Sequence, residues 1–238
     1  MSKHTIANPN DYRLEKGVLQ PVGRRLFIRY AGLTAATSAL LLAGCKDGDD
    51  DNQMAGVDLG SGDVGILNYA YTLEQLEAAF YTQVITSKYS GMTPAEEQIL
   101  TDIRDHEIAH RDFFKAALGS NAIPALEVDF SAIKFNDRAS VLGAAKTFED
   151  LGVSAYNGAG KLLTSADYLL LAGKIVSVEA RHTAAIRSLL NPKSADFAGD
   201  DVVAAANGLD VQRMPMEVLS AAKPYVKTQI NASKLPTE

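Results

Sequence analysis

The sequence predicts an all-α protein, a bundle of four long helices with one long crossover connection and a short C-terminal helix. From residue 63 onward, apolar residues recur three and four positions apart, which is the period of one face of an α-helix. The alternating pattern of a half-buried strand is weak throughout, and residues 127–133 are its nearest candidate. The long helices are separated by a short, a long and a short connection, an order typical of a bundle with one crossover.

Each predicted helix has the apolar period, and most have a boundary signal. The second helix begins at Thr93, an N-cap followed by proline and by glutamate at the third helical position, and Gly119 fits its C-cap. The fourth helix ends before Pro192. The long helices are predicted at residues 63–89, 93–118, 137–160 and 165–190, and the short one at residues 216–230. The crossover, residues 119–136, reaches about 60 Å when extended, which exceeds the roughly 37 Å length of a long helix.

The composition excludes several classes of protein. The chain has 238 residues, of which 47% are hydrophobic, so it can bury a core and is not disordered throughout. Its single cysteine, Cys45, excludes an intrachain disulfide and a cysteine zinc site. Tryptophan is absent, aromatic residues make up 7% and the net charge is −6, so we expect no nucleic-acid partner.

The first 45 residues are predicted to be a targeting segment. Residues 1–44 carry six basic and two acidic side chains, whereas the remainder of the chain carries 17 basic and 27 acidic ones. Arg24 and Arg25 precede an uncharged run at residues 31–44, which is too short to span a bilayer and has the length of a signal-peptide core. The arginine pair and the Leu-Phe-Ile after it resemble a twin-arginine export signal, with glycine at the usual Ser/Thr position.

Residues 42–45, Leu-Ala-Gly-Cys, resemble the lipobox at which bacterial lipoproteins are cleaved and acylated. We therefore predict cleavage before Cys45, lipid attachment to that cysteine, and a flexible acidic tether over residues 46–62. The alternative, a buried apolar helix with an incidental cysteine, is disfavoured by the arginines before the run and the aspartates after it. The predicted location is the cell envelope, on the periplasmic side, with the protein anchored to the membrane by its lipid.

Two Glu-x-x-His motifs carry the clearest chemical signal. Beyond residue 45 the sequence has three histidines, and two of them follow a glutamate by three positions: His110 after Glu107, and His182 after Glu179. This spacing puts both side chains on one helix face, within reach of a common metal. One pair alone is equally well explained by a hydrogen bond on a solvated face, but two pairs among three histidines favour a metal site.

The other two long helices carry a matching pair of glutamates. The sequence Leu-Glu-Gln-Leu around Glu74 recurs as Phe-Glu-Asp-Leu around Glu149, and a tyrosine follows each glutamate by seven positions, Tyr81 and Tyr156. Two helical turns return to nearly the same face, so each tyrosine lies along the stripe of its glutamate. The chain therefore contains a twofold repeat, a Glu-x6-Tyr helix followed by a Glu-x-x-His helix. All four glutamates lie near the middle of their predicted helices, so we expect them at one level of the bundle.

Together these residues resemble the ferritin-like di-metal carboxylate superfamily, whose pattern is a glutamate from each of two helices and Glu-x-x-His from the other two. The sequences flanking Glu74 and His182 are also similar to an exported bacterial branch related to desiccation-associated proteins. The resemblance implies a ferritin-like four-helix bundle over residues 63–190, with residues 191–238 as a C-terminal extension. It implies that six residues hold two metals: Glu74, Glu107, His110, Glu149, Glu179 and His182.

The resemblance also implies roles for these residues and for the tyrosines. Glu107 and Glu179 are expected to bridge the two metals. Oxygen-rich ligands with two imidazoles suit two iron ions, or else manganese, and the absence of thiolates disfavours zinc and copper(I). Tyr81 and Tyr156 are either hydrogen-bond donors and electron sources behind the ligands or ordinary core tyrosines.

Some neighbouring residues compete with this ligand set. Glu77, one turn after Glu74, is an alternative ligand from the first helix, but its counterpart in the repeat is Gly152, which favours Glu74. His106 is expected at the surface or in an interface rather than on a metal. Two acidic residues of the same helix are expected on its solvated face: Asp102 and Asp105.

Three functions agree with such a site. The first is an oxidoreductase that oxidises Fe(II) or reacts with oxygen or peroxide, in envelope stress or iron handling. The second is a manganese-catalase-like dismutation of peroxide. The third is a structural, desiccation-protective protein whose metals stabilise the bundle without turnover. The expected partners are metal ions, oxygen or peroxide, the membrane through the lipid anchor, and further copies of the chain in a homo-oligomer.

Overall fold

A computed structural model describes residues 56–237. The predicted export signal with Arg24 and Arg25, the predicted lipidation site Cys45 and residues 46–55 of the predicted tether lie outside the described residues. Within residues 56–237, none of the helices combines the length and the apolar character needed to cross a membrane.

Four long helices form the bundle, which confirms the predicted fold class. Helix α1 pairs mainly with α2, and α3 pairs mainly with α4. Their bounds are Gly62–Thr86 for α1, Pro94–Leu118 for α2, Arg138–Ala159 for α3 and Ala166–Leu190 for α4.

Side-chain caps fix where three of these helices begin. Thr93 and Glu96 form a reciprocal capping box at the start of α2, as the sequence predicted. Asp137 accepts hydrogen bonds from the first backbone amides of α3, and Ser165 accepts one at the start of α4.

The first helix is shorter than predicted, since α1 ends at Thr86 and not at Tyr89. The chain must reverse direction before Thr93, and Gly91 adopts a φ of +77° within this turn, a conformation that glycine favours. Tyr89 lies in the turn and is buried there, so its apolar side chain contributes to the core without belonging to the helix.

The crossover between α2 and α3 lies along α1. A short 3₁₀ turn, Gly119–Asn121, opens it. Asn68 of α1 donates a hydrogen bond to the Asn121 carbonyl (2.9 Å) and accepts one from the Ile123 amide (3.0 Å). Two turns further along α1, Gln75 accepts a hydrogen bond from the Leu126 amide at 3.0 Å. The weak strand candidate at residues 127–133 forms only an isolated bridge between Val128 and Val226.

The C-terminal extension contains short elements that the sequence did not predict. A 3₁₀ turn, Asp196–Ala198, precedes the small hairpin of β2 (Val203–Ala204) and β3 (Leu209–Asp210). Helix α5 covers Pro215–Ala222, so the predicted helix over residues 216–230 is wrong beyond Ala222. Pro224 has no amide hydrogen to continue the α-helix, and the chain forms a 3₁₀ turn there instead.

The extension returns to the start of the described chain. Strand β4, Ile230–Asn231, pairs in parallel with β1, Val57–Asp58, and Leu59 beside it is fully buried. The predicted tether over residues 46–62 is therefore wrong for its last part, because these residues make backbone hydrogen bonds and bury an apolar side chain.

The extension packs closely against the α3–α4 pair, as a backbone contact at Gly158 and a buried arginine show. A Cβ atom added at Gly158 would lie 1.9 Å from the Arg213 carbonyl oxygen, so glycine is required for this close approach of two backbones. Arg187 of α4 is fully buried and donates paired hydrogen bonds to Asp150 of α3 and to Asp201 of the extension.

Candidate metal centre

Four buried glutamates meet in the middle of the bundle, one from each long helix. Each lies near the middle of its helix on the inward face and has no exposed surface: Glu74, Glu107, Glu149 and Glu179. Burying an isolated carboxylate is costly, and four together require compensating positive charge. Their common level agrees with the expectation from their mid-helix positions.

Two histidines complete two groups of potential ligand atoms. In each group, one nitrogen or oxygen atom per residue lies within 4.8 Å of all the others. The first group is Glu74, Glu107, His110 and Glu179, and the second is Glu107, Glu149, Glu179 and His182. All six residues singled out in the sequence are therefore brought together.

Glu107 and Glu179 belong to both groups because each has one carboxylate oxygen directed toward His110 and the other toward His182. Glu179 Oε1 lies 2.8 Å from His110 Nδ1, and Glu179 Oε2 lies 3.6 Å from His182 Nδ1. Glu107 mirrors this arrangement, with Oε1 at 2.8 Å from His182 Nδ1 and Oε2 at 3.7 Å from His110 Nδ1. Two carboxylates that span both groups have the orientation of bridging ligands.

The terminal glutamates each face one histidine. Glu74 Oε2 lies 3.5 Å from His110 Nδ1, and Glu149 Oε2 lies 3.5 Å from His182 Nδ1. Each group thus combines one terminal glutamate, one histidine and the two shared carboxylates.

The polar atoms that face one another here have no hydrogen-bond partner of suitable geometry, although two histidine–glutamate contacts are as short as 2.8 Å. Within residues 56–237, eleven buried side-chain nitrogen and oxygen atoms have none, and eight of them belong to these six residues. They are Glu74 Oε2, both oxygens of Glu107, His110 Nδ1, Glu149 Oε2, both oxygens of Glu179 and His182 Nδ1. Buried polar atoms are normally paired, so this convergence of unpaired donor atoms fits a pair of cations.

The two tyrosines hold the terminal glutamates from across the bundle. Tyr81 of α1 donates a hydrogen bond to Glu149 Oε1 of α3, and Tyr156 of α3 donates one to Glu74 Oε1 of α1. Each tyrosine therefore supports the glutamate of the opposite helix, although it lies on the stripe of its own. Each terminal glutamate keeps one oxygen for the centre and has the other fixed by a phenol.

Without a metal, the centre holds protons. Burial lowers the pKa of His110 and of His182, but close contacts with the glutamates outweigh burial and raise both to about 12. Burial also raises the pKa of Glu149 to about 7 and, together with repulsion from Glu179, holds that of Glu107 well above its usual range. Burial acts on Glu179 in the same direction, but its contacts with the two histidines lower its pKa. The positive charges of the His110 and His182 imidazolium groups thus offset the negative charge of the glutamates, as bound cations would.

Glu77 is a fifth buried carboxylate at this centre, although it is outside both ligand groups. Burial and repulsion from Glu107, Glu179, Glu149 and Glu74 raise its pKa well above the usual range. A Cβ atom added at Gly152 would lie 3.2 Å from Glu77 Oε1 and 3.8 Å from Glu179 Oε2.

Gly152 of α3 is the repeat counterpart of Glu77 of α1. Because Gly152 has no side chain, it leaves room for the carboxylate of Glu77. The position of Glu77, one turn from Glu74, was a sequence signal for this proximity, but the role of the glycine was not foreseen.

His106 is exposed and outside both ligand groups, as expected, but it contacts the centre indirectly. Its Nδ1 lies 2.9 Å from His182 Nε2 in a hydrogen bond. Sequence reasoning missed this contact, although His106 lies one turn before His110 and so on a similar face of α2. Asp102 and Asp105 are exposed and bond to their own helix neighbours, as expected for a solvated face.

Comparison with protein families agrees with this geometry. A family model described as a ferritin-like domain matches residues 62–192, more than half of the chain. A search of curated proteins finds no match.

Proposed function

Because the chain belongs to the ferritin-like domain family, we propose that it is a di-metal protein that oxidises Fe(II) or reacts with oxygen or peroxide at this centre. The observation that carries the proposal is the set of eight unpaired buried atoms in two groups that share Glu107 and Glu179. An environment of four carboxylates and two imidazoles suits iron and manganese better than softer metals. A pair of such ions, held by these six residues, would supply the electrons for the reduction of oxygen or peroxide.

The chain's own residues prepare this site in three ways. Tyr81 and Tyr156 fix the terminal glutamates, so that one oxygen of each faces inward. The shared carboxylates Glu107 and Glu179 join both groups and have no exposed surface. Among the six residues, His110 has the most exposed side chain, at 14%, so a small molecule such as oxygen or peroxide would approach on its side.

The test is the oxidation of Fe(II) by the purified protein. Anaerobic Fe(II) added to the metal-free protein and then exposed to oxygen or peroxide should be oxidised faster than in buffer, in a burst that saturates near two irons per chain. Glu107→Ala should abolish the burst, because it removes a ligand common to both groups. Glu97→Ala changes an exposed glutamate of the same helix and should leave the burst intact.

Two other outcomes would replace this function. Disproportionation of peroxide by the manganese-loaded protein, without an Fe(II) burst, would assign the catalase-like activity. Metal binding that raises the melting temperature, with neither reaction, would assign a structural role in which the metals stabilise the bundle without turnover.

We also propose that the protein is exported and lipid-anchored in the cell envelope, as the desiccation-related branch would imply. Support comes from the sequence alone: the arginine pair, the short apolar run and Cys45 at the end of a lipobox-like sequence. Cys45→Ser should leave the protein exported but released from membranes by a carbonate wash. Arg24→Lys combined with Arg25→Lys should retain it in the cytoplasm, and continued export of that variant would remove the twin-arginine assignment.

A further inference from the structure

The two histidines of the centre differ in what supports them from outside. His182 Nδ1 faces the carboxylates, and His182 Nε2 is hydrogen-bonded to His106 Nδ1 at 2.9 Å. The two ring planes lie within 9° of each other and the ring centroids are 5.2 Å apart. This separation is close to the hydrogen-bond length plus two ring radii, so the rings meet edge to edge in good hydrogen-bond geometry.

The twofold repeat does not provide this support for the other histidine. Glu107 is equivalent to Glu179, so the residue equivalent to His106 is Val178. A valine side chain can neither donate nor accept a hydrogen bond. The second ligand group thus has an outer hydrogen-bond partner at a position where the first has an apolar side chain.

We propose that His106 is a positioning residue that holds His182 in its metal-binding form, so that the Glu149–His182 position binds its metal more tightly than the Glu74–His110 position and fills first. The inference rests on the proposed function, since it needs a metal at each position. It concerns residues that are outside the six ligands.

The chemistry follows from the two nitrogen atoms of His182. A neutral imidazole binds a metal through one nitrogen and carries its proton on the other. With Nδ1 of His182 toward the centre, its proton lies on Nε2 and is donated to Nδ1 of His106. His106 then carries its own proton on Nε2, so that both rings have defined tautomers. Outer hydrogen bonds of this kind change metal affinity by about 10- to 100-fold.

The test is a titration of the metal-free full chain with Mn(II), in which electron paramagnetic resonance measures the free ion. The unmodified protein should bind two Mn(II) per chain in a tighter and a weaker step. His106→Val, which copies the residue at the equivalent position, should weaken the tighter step about 10- to 100-fold and leave the other unchanged. His106→Asn keeps an acceptor oxygen near the position of Nδ1 and should restore most of the affinity. Val178→Ala is the matched control and should change neither step.

Two backgrounds assign the affected position. In Glu149→Gln, which already lacks the terminal ligand beside His182, His106→Val should have little further effect on Mn(II) binding. In Glu74→Gln, where the remaining ion depends on His182, it should show its full effect. The metal-free His106→Val variant should stay folded and melt only slightly lower, because His106 is exposed and loses one hydrogen bond to the buried His182.

Unchanged Mn(II) binding by His106→Val, equal weakening of both steps, or no recovery with His106→Asn would each overturn the positioning role while leaving the di-metal function intact. An unmodified protein that binds no Mn(II) and no Fe(II) would instead overturn the proposed function, and this inference with it.

Discussion

The α1–α2 half and the α3–α4 half of the bundle supply the same ligand atoms by the same means. In each half, a glutamate from the first helix and Glu-x-x-His from the second face the centre, and a tyrosine crosses to the other half. The crossing makes the halves interdependent, because neither can hold its terminal glutamate without the tyrosine of the other. The repeat therefore accounts for the parts of the site that must be symmetrical, two similar positions between two shared carboxylates.

The halves differ at the residues that adjoin these ligands. Glu77 on α1 corresponds to Gly152 on α3, and His106 on α2 corresponds to Val178 on α4. Each difference places a polar group on one side of the pseudo-twofold and a small or apolar group on the other. The six ligand residues therefore define two similar metal positions, whereas the departures from the repeat make those positions unequal.

The halves also differ in what they hold on the outside. Gln75, which follows Glu74, accepts a hydrogen bond from the crossover, whereas Asp150, which follows Glu149, binds Arg187. The equivalent residues Gln75 and Asp150 thus bind unrelated segments: Gln75 binds the crossover, and Asp150, through Arg187, contacts the C-terminal extension.

The largest expected effect distinguishes shared from terminal ligands. Glu107→Ala and Glu179→Ala should each reduce bound metal from about two ions per chain to nearly none, because each removes a ligand from both groups. Glu74→Ala and Glu149→Ala should each lose about one ion. Metal content after dialysis measures this, with Glu97→Ala as the surface control. If a terminal variant lost both ions while a shared one lost a single ion, the assignment of shared and terminal carboxylates would be reversed.

Much of this site could be predicted because its signals are local. Glu-x-x-His spacing within one helix, and the recurrence of the motif, locate all six residues without knowledge of the packing. The tyrosine crossings, the room that Gly152 leaves for Glu77 and the bond from His106 to His182 are contacts between helices, which depend on how the bundle packs. The repeat did draw attention to Glu77, and comparison of its halves could have done the same for His106, since both residues depart from it.

The fold divides in the same way. Helices with a sustained apolar period and a capping residue were predicted to within a few residues, including the Thr93 capping box. The two-residue strands were not predicted, because so short an element has no hydrophobic period to detect. Each strand also depends on a partner distant in the sequence, as Val57 pairs with Ile230. Pro224 explains why the C-terminal helix is shorter than predicted, and this signal was already present in the sequence.

The second prediction concerns the fastening of the α3–α4 half. Arg187→Met should lower the free energy of unfolding by about 3 kcal/mol, since it leaves the partly buried Asp150 with only its Lys146 contact and frees the extension at Asp201. The same bond holds the pKa of Asp201 below its usual range. Lys146→Ala removes a more exposed contact to the same two acids and should cost less than about 1 kcal/mol. Urea unfolding of the metal-free proteins measures both, and equal losses would contradict the central role of Arg187.

The third prediction is that metal uptake releases protons. His110 and His182 have pKa values raised to about 12, so both carry a proton on Nδ1 at pH 7, and metal binding must displace it. At least about two protons should leave per two metals. The product of the two binding constants should then rise at least about 100-fold per pH unit near neutrality, because each displaced proton contributes tenfold.

Calorimetric titration in two buffers of different ionisation enthalpy counts these protons. His110→Gln should release about one proton fewer than the unmodified protein. Metal binding with no proton release would show that the imidazoles are neutral in the metal-free centre.

The smallest expected effect tests the complementarity of Glu77 and Gly152. Replacing a helical glycine by alanine stabilises a helix by up to about 1 kcal/mol when space is available. At Gly152 the new methyl would lie 3.2 Å from Glu77 Oε1, so the gain should be lost in the unmodified protein and recovered in Glu77→Ala. Urea unfolding of the metal-free single and double variants should give an interaction energy of about 0.5 kcal/mol or more. Gly143→Ala, on the same helix with open space around its Cβ, should stabilise both backgrounds equally. A gain at Gly152 that is the same with and without Glu77 would show that the glycine is unrelated to the extra carboxylate.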